Sequence, residues 1–217
     1  MQLISKYIKH APKDISITDF CRGVTEYIHK EYKSSQLDRL ADHPEERLTA
    51  SCIVYSRLQR QIWMIGDCQC MVGNQYYDNP KHDEAVIAEK RAEINNKLLS
   101  SGQSTIEELR NNDIGRKEII PMMIASMRDQ NKTYSVVDGF HIPIDKVRII
   151  TLDFEPWTIV MASDGYPFLK PTLAESEAAL KQQLDTDPLN INTFKATKAF
   201  LAGNNSFDDR TYIRFNV

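Results

Sequence analysis

Apolar residues recur along this chain at two periods, and the places where each period holds predict its elements. Leu3, Ile4, Tyr7 and Ile8 fall at helical spacing over Leu3 to His10, and Pro12 ends that run. Phe20, Val24, Tyr27, Ile28 and Tyr32 form the stripe of a second helix, with Thr18 as its expected N-cap and Ile17 just before it. Ser34 to Arg47 is polar, contains His43-Pro44 and reads as a loop. From Leu48 to Val72 the texture changes to two strand-like runs, LTASCIVYSRL and QIWMIGDCQCMV, parted by Gln59-Arg60-Gln61, which predict a hairpin. After a turn at Gly73-Asn74, Val86, Ile87, Ile94, Leu98 and Leu99 predict a long amphipathic helix over Asp83 to Leu99. A short helix is expected at Thr105 to Asn111. Glu118 to Arg128 fits either a buried helix or a strand, and Pro121 near its start favours the helix. Beyond Lys132 come the β-rich runs TYSVVDG, VRIITL and WTIVMASDG. Helices are predicted over Leu173 to Leu184 and Asn192 to Leu201, with Gly203-Asn204-Asn205 as a stop, and RTYIRFNV reads as a closing strand.

This order is not a regular β-α-β alternation, which argues against a doubly wound parallel sheet and for an α+β chain of layered antiparallel sheet with helices outside. There is no internal repeat, low-complexity tract or Gly, Pro or Ser-rich linker, so the 217 residues are expected to form a single domain spanning 1–217. A formal net charge of -3 gives no global electrostatic reason for a nucleic acid or anionic membrane partner. No run approaches the roughly 18 apolar residues of a membrane span, and the zones of a signal peptide are missing, so the expected location is cytoplasmic. The four cysteines, Cys21, Cys52, Cys68 and Cys70, are then expected to be reduced thiols.

Two acidic positions stand at the ends of apolar strands: Asp164 in TIVMASDGYP, and Asp208 with Asp209 in NNSFDDRTYIRF. Carboxylates at strand ends suit hard divalent cations, which prefer oxygen ligands and retain waters. Taken singly, each is more often a turn residue bonding its own backbone. Cys68-x-Cys70 with His82 lacks the second ligand pair of a tetrahedral zinc site and favours buried structural cysteines. Asp138-Gly139 reads as a hairpin turn, and His10, His29, His43 and His141 have no spaced partners. A Gly-rich phosphate loop and a Ser nucleophile elbow are both missing.

Taken in order, three segments resemble the metal-dependent serine/threonine protein phosphatases of the 2C type. RLTASCIVYSRLQRQIWMIGDCQCMV is similar to that family's hairpin ending in Gly-Asp-Ser-Arg, here Gly66-Asp67-Cys68-Gln69. MASDGYPFL is similar to its strand ending in Ser-Asp-Gly, and SFDDRTYIRF to its closing Asp-Asp or Asp-Asn motif. The match runs from about Leu48 to Val217. The resemblance implies a four-layer α-β-β-α sandwich of two antiparallel sheets flanked by helices, with Asp164 and Asp208 as ligands of Mg²⁺ or Mn²⁺ and Asp67 and Asp209 as nearby support. It implies a phosphoester hydrolase acting on a phosphorylated protein or a small phosphoester through a metal-bridging hydroxide. The family's early Asp-Gly motif and phosphate-holding Arg have no counterpart, so the chain is expected to be N-terminally incomplete and its activity impaired. A missing edge strand would leave sheet edge and apolar surface exposed, from which a homodimer is expected. The alternative function is a non-catalytic pseudophosphatase or protein-interaction domain, with Asp164 and Asp208 as turn residues. An N-terminal-nucleophile hydrolase shares the layers but needs a terminal Thr, Ser or Cys, which Met1-Gln2 does not supply without processing.

Overall fold

The apolar run from Gln61 to Val72 does not stay one strand, because Gly66 takes a φ of +83° that side chains other than glycine rarely adopt. Side chains satisfy the break: the Gly66 N–H donates to Ser135 Oγ at 3.2 Å, and Asn79 Nδ2 donates to the Gly66 carbonyl at 3.0 Å. In the computed structural model, which describes residues 2–217, the elements in chain order begin with α1 (Gln2–His10), α2 (Ile17–His29), α3 (Ser34–Asp42) and a 3₁₀ turn (Pro44–Glu46). Next come β1 (Cys52–Ser56), β2 (Gln61–Ile65), β3 (Gln69–Val72), β4 (Gln75–Asp78), α4 (Glu84–Ser100), α5 (Ile106–Asn111) and α6 (Ile114–Arg128). A second 3₁₀ turn (Ile144–Lys146), β5 (Arg148–Thr151), β6 (Thr158–Ala162), α7 (Leu173–Thr186) and β7 (Tyr212–Asn216) complete the chain.

β2 and β3 therefore enter different sheets, one ordered β1-β2-β5 and the other β4-β3-β6-β7. The expected α+β class with two antiparallel sheets and helices is present. The chain divides into two compact units. The first takes in residues up to Gln69, Asp78–Lys81 and Met127–Trp157; the second takes in Cys70–Tyr77, His82–Ser126 and Thr158–Val217. No helix among the described residues is long and apolar enough to cross a membrane.

The first unit buries the stripe of α2 against its sheet: Phe20, Val24 and Ile28 pack with Trp63, Ile65 and Val137, and the Phe20 and Trp63 rings lie 5.5 Å apart. α1 adds Ile4 and the ring of Tyr7, 5.6 Å from Phe20. Ser16, rather than Thr18, caps α2, accepting the Asp19 N–H at 3.1 Å. The expected loop from Ser34 to Arg47 instead holds α3, because Leu40 is buried and Arg47 Nε, donating to the Leu40 carbonyl at 2.7 Å, closes the helix end. The expected TYSVVDG strand is reduced to isolated bridges, and Asp138 is not a hairpin turn residue. Its buried carboxylate accepts from Arg47 at 3.1 Å, Asn131 at 3.0 Å and the Phe140 N–H at 2.9 Å, fixing the loop by side-chain bonds. Burial pushes this carboxyl above its ordinary value even though all of those bonds pull the other way.

In the second unit, Met71, Val160, Ala162, Tyr166 and Leu169 form one buried cluster, while Ala92, Leu109, Leu189, Ile191 and Ala199 form another. The helix expected over Asn192 to Leu201 is not formed. The amides of Ile191, Asn192 and Thr193 donate to the Asp187 carboxylate at 3.2, 2.9 and 3.0 Å, and Asn190 takes a φ of 52°. The segment's carbonyls are committed too. Arg91, fully buried, donates from Nη1 to the Ala196 carbonyl at 2.8 Å and from Nη2 to the Leu189 carbonyl at 2.8 Å, while pairing with Asp113 at 2.6 Å.

Arg91→Leu strips a buried carboxylate and several buried carbonyls of their donor at once. It is expected to lower unfolding free energy by about 3–5 kcal/mol, read as a lower urea midpoint at unchanged slope.

Candidate functional site

β6 and β7 pair antiparallel with Ala162 opposite Tyr212, so the residues just after β6 and just before β7 meet at one end of the sheet. Ser163 ties them. Its N–H donates to the Thr211 carbonyl at 3.2 Å, its Oγ donates to the Asp209 carbonyl at 3.3 Å, and the Thr211 N–H donates to that Oγ at 3.0 Å. Gly165 completes the approach. A Cβ there would run into the Asp209 carbonyl oxygen and would lie 2.9 Å from Arg210 Cβ, so only glycine allows the two segments to come this close. The Ser-Asp-Gly and Asp-Asp motifs, far apart in sequence, thus share one sheet end, with Asp164 on one strand's exit and Asp208 and Asp209 on the other's approach.

The approach to β7 is shaped by its own polar groups. Ser206 Oγ donates to the Asp208 carbonyl at 2.6 Å, and the Asp209 N–H donates to Asp208 Oδ1 at 2.9 Å. Asp208 Oδ2 is ion-paired with the Lys198 ammonium. Alongside lies a cleft of about 730 Å³, lined among others by Tyr166, Glu177, Phe207, Asp208, Arg210 and Tyr212. Across it Arg210 grips Glu177 with two bonds of 2.9 and 3.0 Å, and Tyr166 Oη donates to Glu177 at 2.7 Å. The Arg210 guanidinium holds the Glu177 carboxyl below its usual range, and burial, helped by that carboxylate, pushes the Tyr166 phenol up to about 12. All three groups are locked in these charge states near neutral pH, so none is poised as a proton shuttle.

Asp67 belongs to the first unit, where Ser51 Oγ donates to one carboxylate oxygen and Lys81 pairs with the other. Burial alone would raise its pKa; the Lys81 ammonium and the hydrogen bonds outweigh burial and hold it below the ordinary value. It is an anchored carboxylate, tying the segment after β4 to the end of β2.

Mg²⁺ and Mn²⁺ need oxygen ligands whose summed negative charge offsets their own. Among the described residues, no group of three or more His, Cys, Asp or Glu side chains is arranged to hold a metal ion. The Lys198 ammonium already offsets the Asp208 charge on which a divalent cation at this sheet end would draw. Asp164 and Asp208 were legible in the sequence as strand-end acids. Lys198 was not, because it lies in the segment read as helix and meets Asp208 only through the loop that replaces that helix. The four cysteines are buried and form no disulfide, and burial pushes the Cys21 and Cys52 thiols up to about 12 and about 11, far from reactive thiolates. No protein-family model, curated protein or solved structure matches the chain.

Gly165→Ala is expected to lower stability by about 1–3 kcal/mol through overpacking against Asp209 and Arg210, with the loss read by thermal unfolding. Because the Asp67 pKa is lowered on folding, the stability it contributes is present above the ordinary carboxylate range and is lost as pH falls through the lowered folded value. Asp67→Asn should therefore unfold more easily than the parent chain at neutral pH. Equilibrium unfolding across a pH series should show that difference shrinking below a pH of about 4.

Proposed function

We propose that this chain is a 2C-type phosphatase-like domain that keeps the sheet end of that family's site but acts by binding rather than by phosphoester hydrolysis. The observation carrying this reading is the convergence at the end of β6 and β7: two motifs singled out in sequence for their likeness to metal-ligating segments are held side by side by Ser163 and Gly165. The four-layer α-β-β-α sandwich belongs to the same reading, and the two antiparallel sheets with their helices support it at the level of class.

The binding role follows from charge. Hydrolysis of this kind needs cations that lower the pKa of a bound water and neutralise phosphoryl oxygens. Asp208 already carries the Lys198 ammonium, so a divalent ion there must displace a tethered positive charge as well as shed its own waters.

A second reading, an active Mg²⁺- or Mn²⁺-dependent phosphoester hydrolase, is favoured by the same adjacency of Asp164 and Asp208 and requires Lys198 to swing away. Calorimetric titration of Mn²⁺ into the parent chain and into an Asp164→Asn, Asp208→Asn double variant, followed by an aryl phosphate assay, separates the two. The binding-domain reading expects no saturable binding at about 1 mM Mn²⁺ and no turnover above the double variant. It also expects Lys198→Met to gain Mn²⁺ affinity by at least about tenfold. Saturable Mn²⁺ binding with turnover, both lost in the double variant, would replace it with the hydrolase.

A further inference from the structure

β7 forms one edge of its sheet, with β6 as its only neighbour in the strand order. Its register shows which backbone groups point away from the sheet. The Ser163 N–H donates to the Thr211 carbonyl, and in an antiparallel ladder bonded pairs recur at every second residue, so Thr211, Ile213 and Phe215 face β6. The N–H and C=O groups of Tyr212, Arg214 and Asn216 therefore face outward, and no described backbone group pairs with them. Few of the usual protections of an open edge are present: β7 has no proline and no bulge, its one charge is Arg214, on the face it shares with Tyr212, and Ile213 is 50% exposed.

We propose that β7 pairs antiparallel with β7 of a second copy of this chain, about a two-fold axis at Ile213, joining the two four-stranded sheets. Only registers that set outward-facing residues against each other make ladder bonds. Centring on Arg214 would place two guanidinium groups directly opposite, which is unfavourable. Centring on Ile213 sets Tyr212 opposite Arg214 of the second copy in a bonded pair, twice by symmetry. The two Ile213 side chains then meet in the close, non-bonded pair on the axis. This register covers the exposed apolar residue and brings each arginine to an aromatic ring. It is self-complementary, as a two-fold interface must be. A strand this short spans only about 17 Å, so the dimer is weak and concentration-dependent rather than obligate.

Sedimentation velocity over low-micromolar to near-millimolar concentration tests this directly. The weight-average mass should climb from that of one chain toward that of two, and Ile213→Lys, which sets two ammonium groups face to face on the axis, should weaken association by at least about tenfold. Ile213 is half exposed, so the variant's thermal midpoint should stay near the parent's, which separates lost pairing from lost folding. A crosslinking pair fixes the register. Under a mild oxidant Ile213→Cys should give a disulfide-linked dimer and Asn216→Cys should not, with little background from the native cysteines, all of which are buried. A monomer at every concentration overturns the proposal. So does a dimer indifferent to Ile213→Lys, or one crosslinked equally well through either position.

Discussion

Every buried backbone N–H and C=O must find a partner, and in the loops after α6 and α7 buried side chains supply several of these partners alongside main-chain bonds. Three polar groups stand out among them. Asp138 holds the loop after α6, Asp187 takes three successive amides beyond α7, and Arg91 reaches from α4 to the carbonyls of the same loop. Each is buried, and each has several bonds to give or accept. The loops they fix are as determined as the helices around them, although no periodic pattern announces them.

That difference explains what could be read from the chain beforehand. A helix with a full apolar stripe, such as α2, shows itself because its burial repeats with the backbone period, and β1, β5 and β6 show themselves as β-rich runs; the buried face of α4 instead mixes Ile87, Ala88 and Ala92 with Arg91 and Asn95 and leaves Val86 exposed. Asn192 to Leu201 also carries helix-forming residues, yet its amides are captured by Asp187, which lies outside the segment. A local pattern cannot report a bond to a residue beyond its own window. The division of Gln61 to Val72 into β2 and β3 was hidden for a related reason: the Gly66 break is held by Asn79 and Ser135, both distant in sequence.

The sheet end at β6 and β7 shows the same balance. Its acids were visible as residue types at strand ends, but their environment was not. Ser163, through its N–H and its hydroxyl, and Gly165, by lacking a Cβ, set how closely the two acid-bearing segments approach, whichever side chains surround the acids. What those side chains decide is charge, and here Lys198 and Arg210 have each been spent on a carboxylate. Backbone geometry and electrostatic character at this end are separable properties, and a likeness in the first carries no guarantee of the second.

The Lys198 to Asp208 ion pair has a consequence for how this protein holds together in changing surroundings. A site whose acidic charge is balanced by a diffusible ion loses part of its folding free energy when that ion is withdrawn. An ammonium borne on the chain itself cannot be chelated or diluted away. The counter-charge that Lys198 gives Asp208 thus arrives with the polypeptide as it folds.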